Sequence, residues 1–342
     1  MTVLRDAQSV IHDAISARLF PAATVEAGSS AGPLWSEAFG TGLQTPFDLA
    51  SLTKVIATTT VVMELVRNGA LRLDEPVAAC FGEWRGADRG AVTVRDLLEH
   101  ASGLPARLVD APPSTRREFE HDICSIALEY APRTGSIYSD LGFILLGFIA
   151  ERLGGGSLAA QFPPAVDSAI DDVPAFGVPD KARQWAAPTE PMDRDPRRGR
   201  RLIGVVHDDY AWRLGGAAGH AGLFANASGV GAFARMLLRS TRGAADLPVP
   251  FAPEITRLIT ARSLVPGSSR ALGWDTMLPT SSCGIRMSVQ AFGHVGYTGT
   301  SLWIDPQRDR YFVLLTNRVF GGGTLDQMRT VRRAFHDALG DL

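Results

Sequence analysis

The sequence predicts an α+β fold: an antiparallel sheet flanked by helices, with a mainly helical lobe between the two parts of the chain that supply the sheet. Two observations carry this. Short runs with strand character sit at both ends of the 342 residues, and segments with apolar residues at helical spacing fill the middle. The chain shows no internal repeat and no low-complexity segment.

Leu4, Val10, Ile11, Ala14, Ile15 and Leu19 predict an amphipathic helix over 4–18. Residues 22–27 and 34–38 read as a hairpin around a Ser-Ser-Ala-Gly turn. A helix over 52–67 stops at Asn68-Gly69. Its Thr58-Thr59-Thr60 run has poor helix propensity, but the segment is apolar on most sides, as expected inside a protein. Further helices are expected over 93–100, 115–130 and 141–153. Residues 154–200, rich in Pro, Gly and Asp, read as a loop-bearing insertion. A glycine-rich run, Gly215 to Gly222, precedes a helix over 228–239. The tail reads as strands over 271–277, 287–295, 301–305 and 311–317, then a helix over 325–339. We read 1–342 as a single domain, with an α+β lobe of about 1–55 and 215–342 and a helical lobe of about 56–214.

Composition narrows the function classes. Charged residues are 20% of the chain and the formal net charge is −2, which gives no field to attract nucleic acid or an anionic membrane. The expected partner is a small molecule. The N-terminus lacks the pattern of a secretory signal and no apolar run reaches the roughly 18 residues of a membrane span, so the expected location is cytoplasmic. Cys80, Cys124 and Cys283 match no zinc or CxxC spacing and read as buried thiols, one disulfide being left open. Of the 34 cationic side chains only Lys54 and Lys181 are lysines. Arg stays protonated at working pH, whereas a desolvated Lys can act as a base, so Lys54 invites a chemical reason.

That reason is Ser51-Leu52-Thr53-Lys54 at the start of a helix. Positions i and i+3 share a face, so hydroxyl and amine can meet. The lysine would activate the serine, the helix N-terminus would steady an oxyanion, and burial would lower the lysine pKa toward that of a usable base. Alone the spacing is a weak signal, and Ser51 also fits an N-cap. Two further segments add to it. Tyr138-Ser139-Asp140 precedes the helix at 141–153 and offers a proton relay, or a capping turn. His294-Val295-Gly296, then Tyr297, ends a strand and offers close backbone approach and an N–H for an oxyanion, or simply a glycine-rich hairpin.

In this order the three segments resemble S-x-x-K, Y-x-N and K-T-G or H-T-G of the serine β-lactamase and penicillin-binding-protein superfamily, most of all its class C branch with esterases and D-alanyl-D-alanine peptidases. The stretches 45–50, 96–105 and 219–224 are similar to that family too. The resemblance implies a β-lactamase-like fold and an acyl-enzyme on Ser51, with Lys54 and Tyr138 managing the proton. It places the oxyanion between the N–H groups of Ser51 and Tyr297, and the substrate against His294 and Gly296. It implies no metal or organic cofactor.

Three departures matter. Asp140 stands for Asn, and a carboxylate cannot donate to a substrate carbonyl. Ionised, it would also keep Lys54 protonated and move the base role toward Tyr138. His294 stands for Lys, and Val295 lacks a threonine hydroxyl. An esterase or a peptidase of small or D-amino-acid amides therefore fits better than an efficient β-lactamase. The competing reading is a non-hydrolytic penicillin-binding or ligand-sensing protein of the same fold.

Other candidates have plainer readings. His220 contacts substrate or makes a structural hydrogen bond. His207-Asp208-Asp209 reads as a solvent-facing turn or loop clamp, Glu99-His100 as scaffold, and the arginines of 194–201 as a solvated loop.

Overall fold

The structure is a computed structural model that describes residues 2–109, 112–166 and 172–342. Residues 167–171, inside the expected insertion, lie outside the described residues.

Strands β1 (Ala23–Ser29) and β2 (Gly32–Phe39) form the expected hairpin, behind helix α1 (Thr2–Ser16). The two-residue strand β3 (Phe47–Asp48) leads into a helix that begins with a π-helical turn, Lys54–Thr58, before α2 (Thr59–Arg67). The middle of the chain supplies α3 (Val77–Cys80), α4 (Val94–Leu98), α5 (Arg116–Ser125), α6 (Asp140–Gly154) and α7 (Leu158–Val166). Then come β4 (Ala175–Phe176), α8 (Asp209–Arg213), β5 (Leu223–Ala225), α9 (Ala227–Thr241) and α10 (Pro253–Thr260). The tail holds β6 (Asp275–Thr276), β7 (Phe292–Val295), β8 (Ser301–Asp305), β9 (Arg310–Thr316), α11 (Arg318–Gly321) and α12 (Leu325–Ala338).

The main sheet has the order β2-β1-β9-β8-β7-β6, and every pair in it is antiparallel. β1 is buried along its whole length, and its alternate residues serve two cores. Val25 and Ala27 pack with Ile11 of α1, Trp303 of β8 and Phe335 of α12. On the other face Glu26 accepts from Arg235 of α9 and from the Tyr311 hydroxyl. A small sheet, β3-β5-β4, lies apart and holds the chain just ahead of Ser51. α6 is buried over Leu141–Ala150, and it packs into the largest core beside α2. No single helix among the described residues is long and apolar enough to cross a membrane.

Several expectations need correcting. The stretch 154–200 contains α7, because Leu158, Phe162 and Val166 form one buried stripe at helical spacing despite Pro163 and Pro164. α5 stops at Ser125, since Arg89 takes the Cys124 and Ile126 carbonyls at 2.7 and 2.8 Å and the chain turns extended at Ile126. The strands expected over 271–277 and 287–295 shrink to β6 and β7. Ala271 N–H donates to Trp274 O across a turn with Gly273 at φ 82°, and Ser288 is pulled onto the Asp305 carboxylate. Cys124 and Cys283 are buried thiols, but Cys80 is only half-buried, and all three are unpaired.

Four histidines are buried and held below the ordinary range, first of all by burial: His207 at about 4, His336 at about 3, and His100 and His294 well below. The stability they lend is present above the unfolded value of about 6.5 and is lost as pH falls toward the folded values. Asp48, pushed up to about 6 by burial, works the other way. Its contribution is full at acid pH and is lost as pH rises through about 6. Four groups outweigh one. Urea unfolding should show lower stability at pH 5 than at pH 7, with about 2 kcal/mol lost per histidine against about 1 kcal/mol gained at Asp48. His336→Gln should flatten that dependence; equal or greater stability at pH 5 would contradict it.

Candidate active site

Ser51 sits where β3 hands over to the helix. Ala50, just before it, has φ 47°, a left-handed conformation that a non-glycine residue adopts under strain. Asp48 holds the turn: one carboxylate oxygen accepts Ala50 N–H at 2.8 Å and the other accepts His207 N–H at 2.6 Å. The Thr59 and Thr60 hydroxyls donate back to the Lys54 and Ile56 carbonyls at 2.9 and 2.7 Å, within and just beyond the widened π turn.

Lys54 Nζ is fully buried and donates to Ser51 Oγ at 3.0 Å, Asp140 Oδ1 at 2.7 Å and His220 O at 3.3 Å. The lowering expected from burial does not prevail, and the expectation that an ionised Asp140 keeps Lys54 protonated does. Burial is the largest single influence and pulls the lysine down, but Asp140 and then Tyr138 together leave it above the ordinary lysine value. Asp140 in turn is resisted by burial, yet Lys54 and then His220 hold it below the usual carboxylate range.

Tyr138 is aimed by its neighbours. Ser139 caps α6, donates its hydroxyl to Pro105 O at 2.7 Å, and gives its N–H to His100 Nδ1 at 3.0 Å. The His100 ring lies 4.7 Å from that of Tyr138, so this scaffold residue sets the tyrosine's position. Lys54 Nζ lies 4.8 Å from the Tyr138 ring centroid. The Tyr138 hydroxyl is buried and has no hydrogen-bond partner among the described residues.

The opposite wall is the end of β7. A Cβ on Gly296 would lie 2.1 Å from Thr300 Oγ1 and 2.4 Å from Leu49 O, so only glycine lets this strand close on the Ser51 turn. Thr298 and Thr300 fasten the same contact by donating to Asp48 O and Leu49 O. Ser51 and Tyr297 both line the cavity, and neither backbone N–H has a protein acceptor among the described residues. His294 is buried, Nδ1 against Val295 O and Nε2 unpartnered; burial and then Arg270 keep it neutral.

On the remaining wall, His207-Asp208-Asp209 is the loop clamp of its two readings and not the solvent-facing turn. His207 is buried and stacks on the Tyr297 ring at 5.7 Å, and Asp208 accepts from His220 Nε2 at 2.7 Å. Arg197 is likewise not a solvated arginine: it is buried on Asp195 and donates to the carbonyls of Val206 and His207. His220 lines the cavity as well as making its structural bond. Two site residues were missed altogether. Arg107 bridges Asp140, Asp208 and Asp209, and Arg270 lies 5.1 Å from the Tyr138 ring centroid with no carboxylate at salt-bridge distance among the described residues. The only hint of Arg107 was its place two residues after the familiar stretch ending at Pro105. Arg270 carried no signal. Together these groups enclose about 700 Å³, with Leu108, Val109, Met192 and Leu325 at the rim.

With this geometry in view, the comparisons fall into line. The Beta-lactamase family model matches residues 18–336. An N-acetylmuramyl-L-alanine amidase of Bacillus subtilis is 33% identical over 309 residues, covering 80% of this chain and 68% of that protein. A protein of Escherichia coli K12 provisionally named D-alanyl-D-alanine carboxypeptidase is 31% identical, covering 80% and 69%. The crystal structure of a penicillin-binding-protein homologue from Caulobacter crescentus superposes with a TM-score of 0.76 at 19% identity, covering 99% and 98% of the two chains, which shows the shared fold. The chain belongs to the beta-lactamase family and is a hydrolase of that family.

Proposed function

We propose that the chain cleaves esters or small amides through an acyl-enzyme on Ser51. The observation that supports this best is the 3.0 Å contact from Lys54 Nζ to Ser51 Oγ, in a cavity lined by Ser51 and Tyr297, whose backbone N–H groups have no protein acceptor among the described residues. Because Lys54 is an ammonium that donates to Oγ, it is not the group that takes the serine proton at rest. Tyr138 relays that proton to the leaving group: its hydroxyl is buried and has no hydrogen-bond partner among the described residues, and its ring centroid lies 4.8 Å from Lys54 Nζ. Oγ bonds to the substrate carbonyl carbon, and the carbonyl oxygen gathers charge between the N–H groups of Ser51 and Tyr297. The leaving alcohol or amine departs with the proton from Tyr138. Water then repeats the sequence and releases the acid.

The substrate reading follows from the departures. Both Asp140 oxygens are taken, by Lys54 and Arg107, and His294 is neutral. Arg270 and Arg194 line the cavity with no carboxylate at salt-bridge distance among the described residues, and so are open to a substrate carboxylate. A small amide or ester bearing a carboxylate, of the muropeptide or D-amino-acid kind that the relatives' names describe, suits this site.

Turnover of a short-chain p-nitrophenyl ester, with intact-mass detection of an adduct, tests the reading. The parent should turn over and Ser51→Ala should not. Stoichiometric acylation without turnover would assign a ligand-acylated sensing protein instead, and a folded parent that neither turns over nor takes a fluorophosphonate label would contradict both. Gly296→Ala should slow labelling by about ten-fold or more, because the new methyl forces β7 off Leu49. Labelling at the parent rate would show that this closure is not needed.

A further inference from the structure

The three acceptors around Lys54 are not independent. Asp140 and His220 both lead back to one guanidinium. Arg107 Nη1 donates to Asp140 Oδ2 at 3.1 Å and to Asp208 Oδ2 at 2.8 Å, and Asp208 Oδ1 accepts from His220 Nε2 at 2.7 Å. Nη2 donates to Asp209 Oδ1 at 2.7 Å, and the guanidinium lies 3.8 Å from the Tyr210 ring centroid, which fixes its plane. The carboxylate at 140 therefore comes with its own counter-charge. Without Arg107, three carboxylates would gather beside a single buried ammonium.

We infer that Arg107 is a positioning residue for the Ser51–Lys54 pair: it clamps Asp140 directly and His220 through Asp208, and so fixes where the Lys54 ammonium sits and balances the charge around it. The inference rests on the Ser51 chemistry proposed above. It also explains how the chain carries an acidic residue at position 140 while keeping the serine contact.

The groups that face Lys54 are Asp140 and Tyr138 beside it and His100 and His294 across from it, with Arg270 acting on the same histidines from the cavity. Arg107, Asp208 and His220 form the next layer. Removing Arg107 leaves the site more negative and disfavours loss of a proton anywhere in it.

The test is the rate of Ser51 labelling by a fluorophosphonate, followed by intact mass across about pH 5 to 10. It compares the parent with Arg107→Ala, Arg107→Lys, Asp140→Asn and the Arg107→Ala/Asp140→Asn pair, with melting temperatures measured alongside. Arg107→Ala should label about ten-fold slower or worse, with its rise in rate displaced by about one unit to higher pH. Arg107→Lys should recover little, because one ammonium cannot span three carboxylates. The double variant removes both charges and should label faster than the product of the two single effects. Should Arg107→Ala fail to fold, Arg107→Lys and the double variant decide. Parent-like rate and pH profile without Arg107, full rescue by Lys, or strictly additive effects would each overturn the inference. A parent that takes no label would overturn the proposed hydrolase and this inference with it, whereas a labelled parent indifferent to Arg107 overturns only the inference.

Discussion

A lysine ammonium with no exposure to solvent has to be matched donor for donor, and much of this site follows from that requirement. Lys54 has three N–H bonds, and the structure supplies three acceptors: a hydroxyl, a carboxylate and a backbone carbonyl. Breaking such a buried pair by removing one partner costs about 3–5 kcal/mol. The carbonyl reaches Lys54 only because Gly147 and Gly219 let α6 and the loop before β5 touch. A Cβ on Gly219 would lie 1.9 Å from Phe143 O. The hydroxyl reaches it because Ala50 accepts a left-handed conformation, held by Asp48.

The same matching decides the division of labour. A lysine stabilised as a cation is a poor resting base, and an ideal electrostatic partner for a phenolate or for an oxyanion that forms beside it. In the proposed mechanism the Tyr138 hydroxyl, unpartnered among the described residues, takes on the proton work. An amide at 140 would leave a donor free for substrate; a carboxylate locked between Lys54 and Arg107 leaves none. In the proposed function, recognition of a substrate carboxylate then falls to cavity-lining groups that the three motifs do not contain, such as Arg270.

Much of this was legible in the sequence, and the reasons for the rest are physical. Short runs of strand character at both ends gave the hairpin of β1 and β2 and the pair β8 and β9. The strands at 271–277 and 287–295 were read too long, because a turn at Gly273 and the pull of Asp305 on Ser288 are decided by tertiary contacts. α7 was hidden by Pro163 and Pro164 inside it and by Gly154 to Gly156 just before it. Ser51, Lys54, Tyr138, Asp140, His294 and Gly296 could be named because each stands in a motif of fixed spacing. Arg107 and Arg270 could not, because they come together from loops more than 30 residues apart in sequence, and Asp208 could be named but not placed in the site. Burial argued for a lowered lysine pKa and an ionised Asp140 for a protonated lysine; Asp140, with Tyr138, decides it.

The central claim, that Lys54 rests as an ammonium held by Asp140, has a direct measurement. The chain has only two lysines, Lys54 in the site and Lys181 exposed on the surface, so lysine-labelled protein gives two side-chain NMR signals with a built-in reference. As pH rises, the Lys54 signal should remain that of a protonated amine beyond the ordinary lysine value of about 10.4, and Asp140→Asn should bring its titration down. A Lys54 signal that titrates near neutral pH in the parent would contradict it.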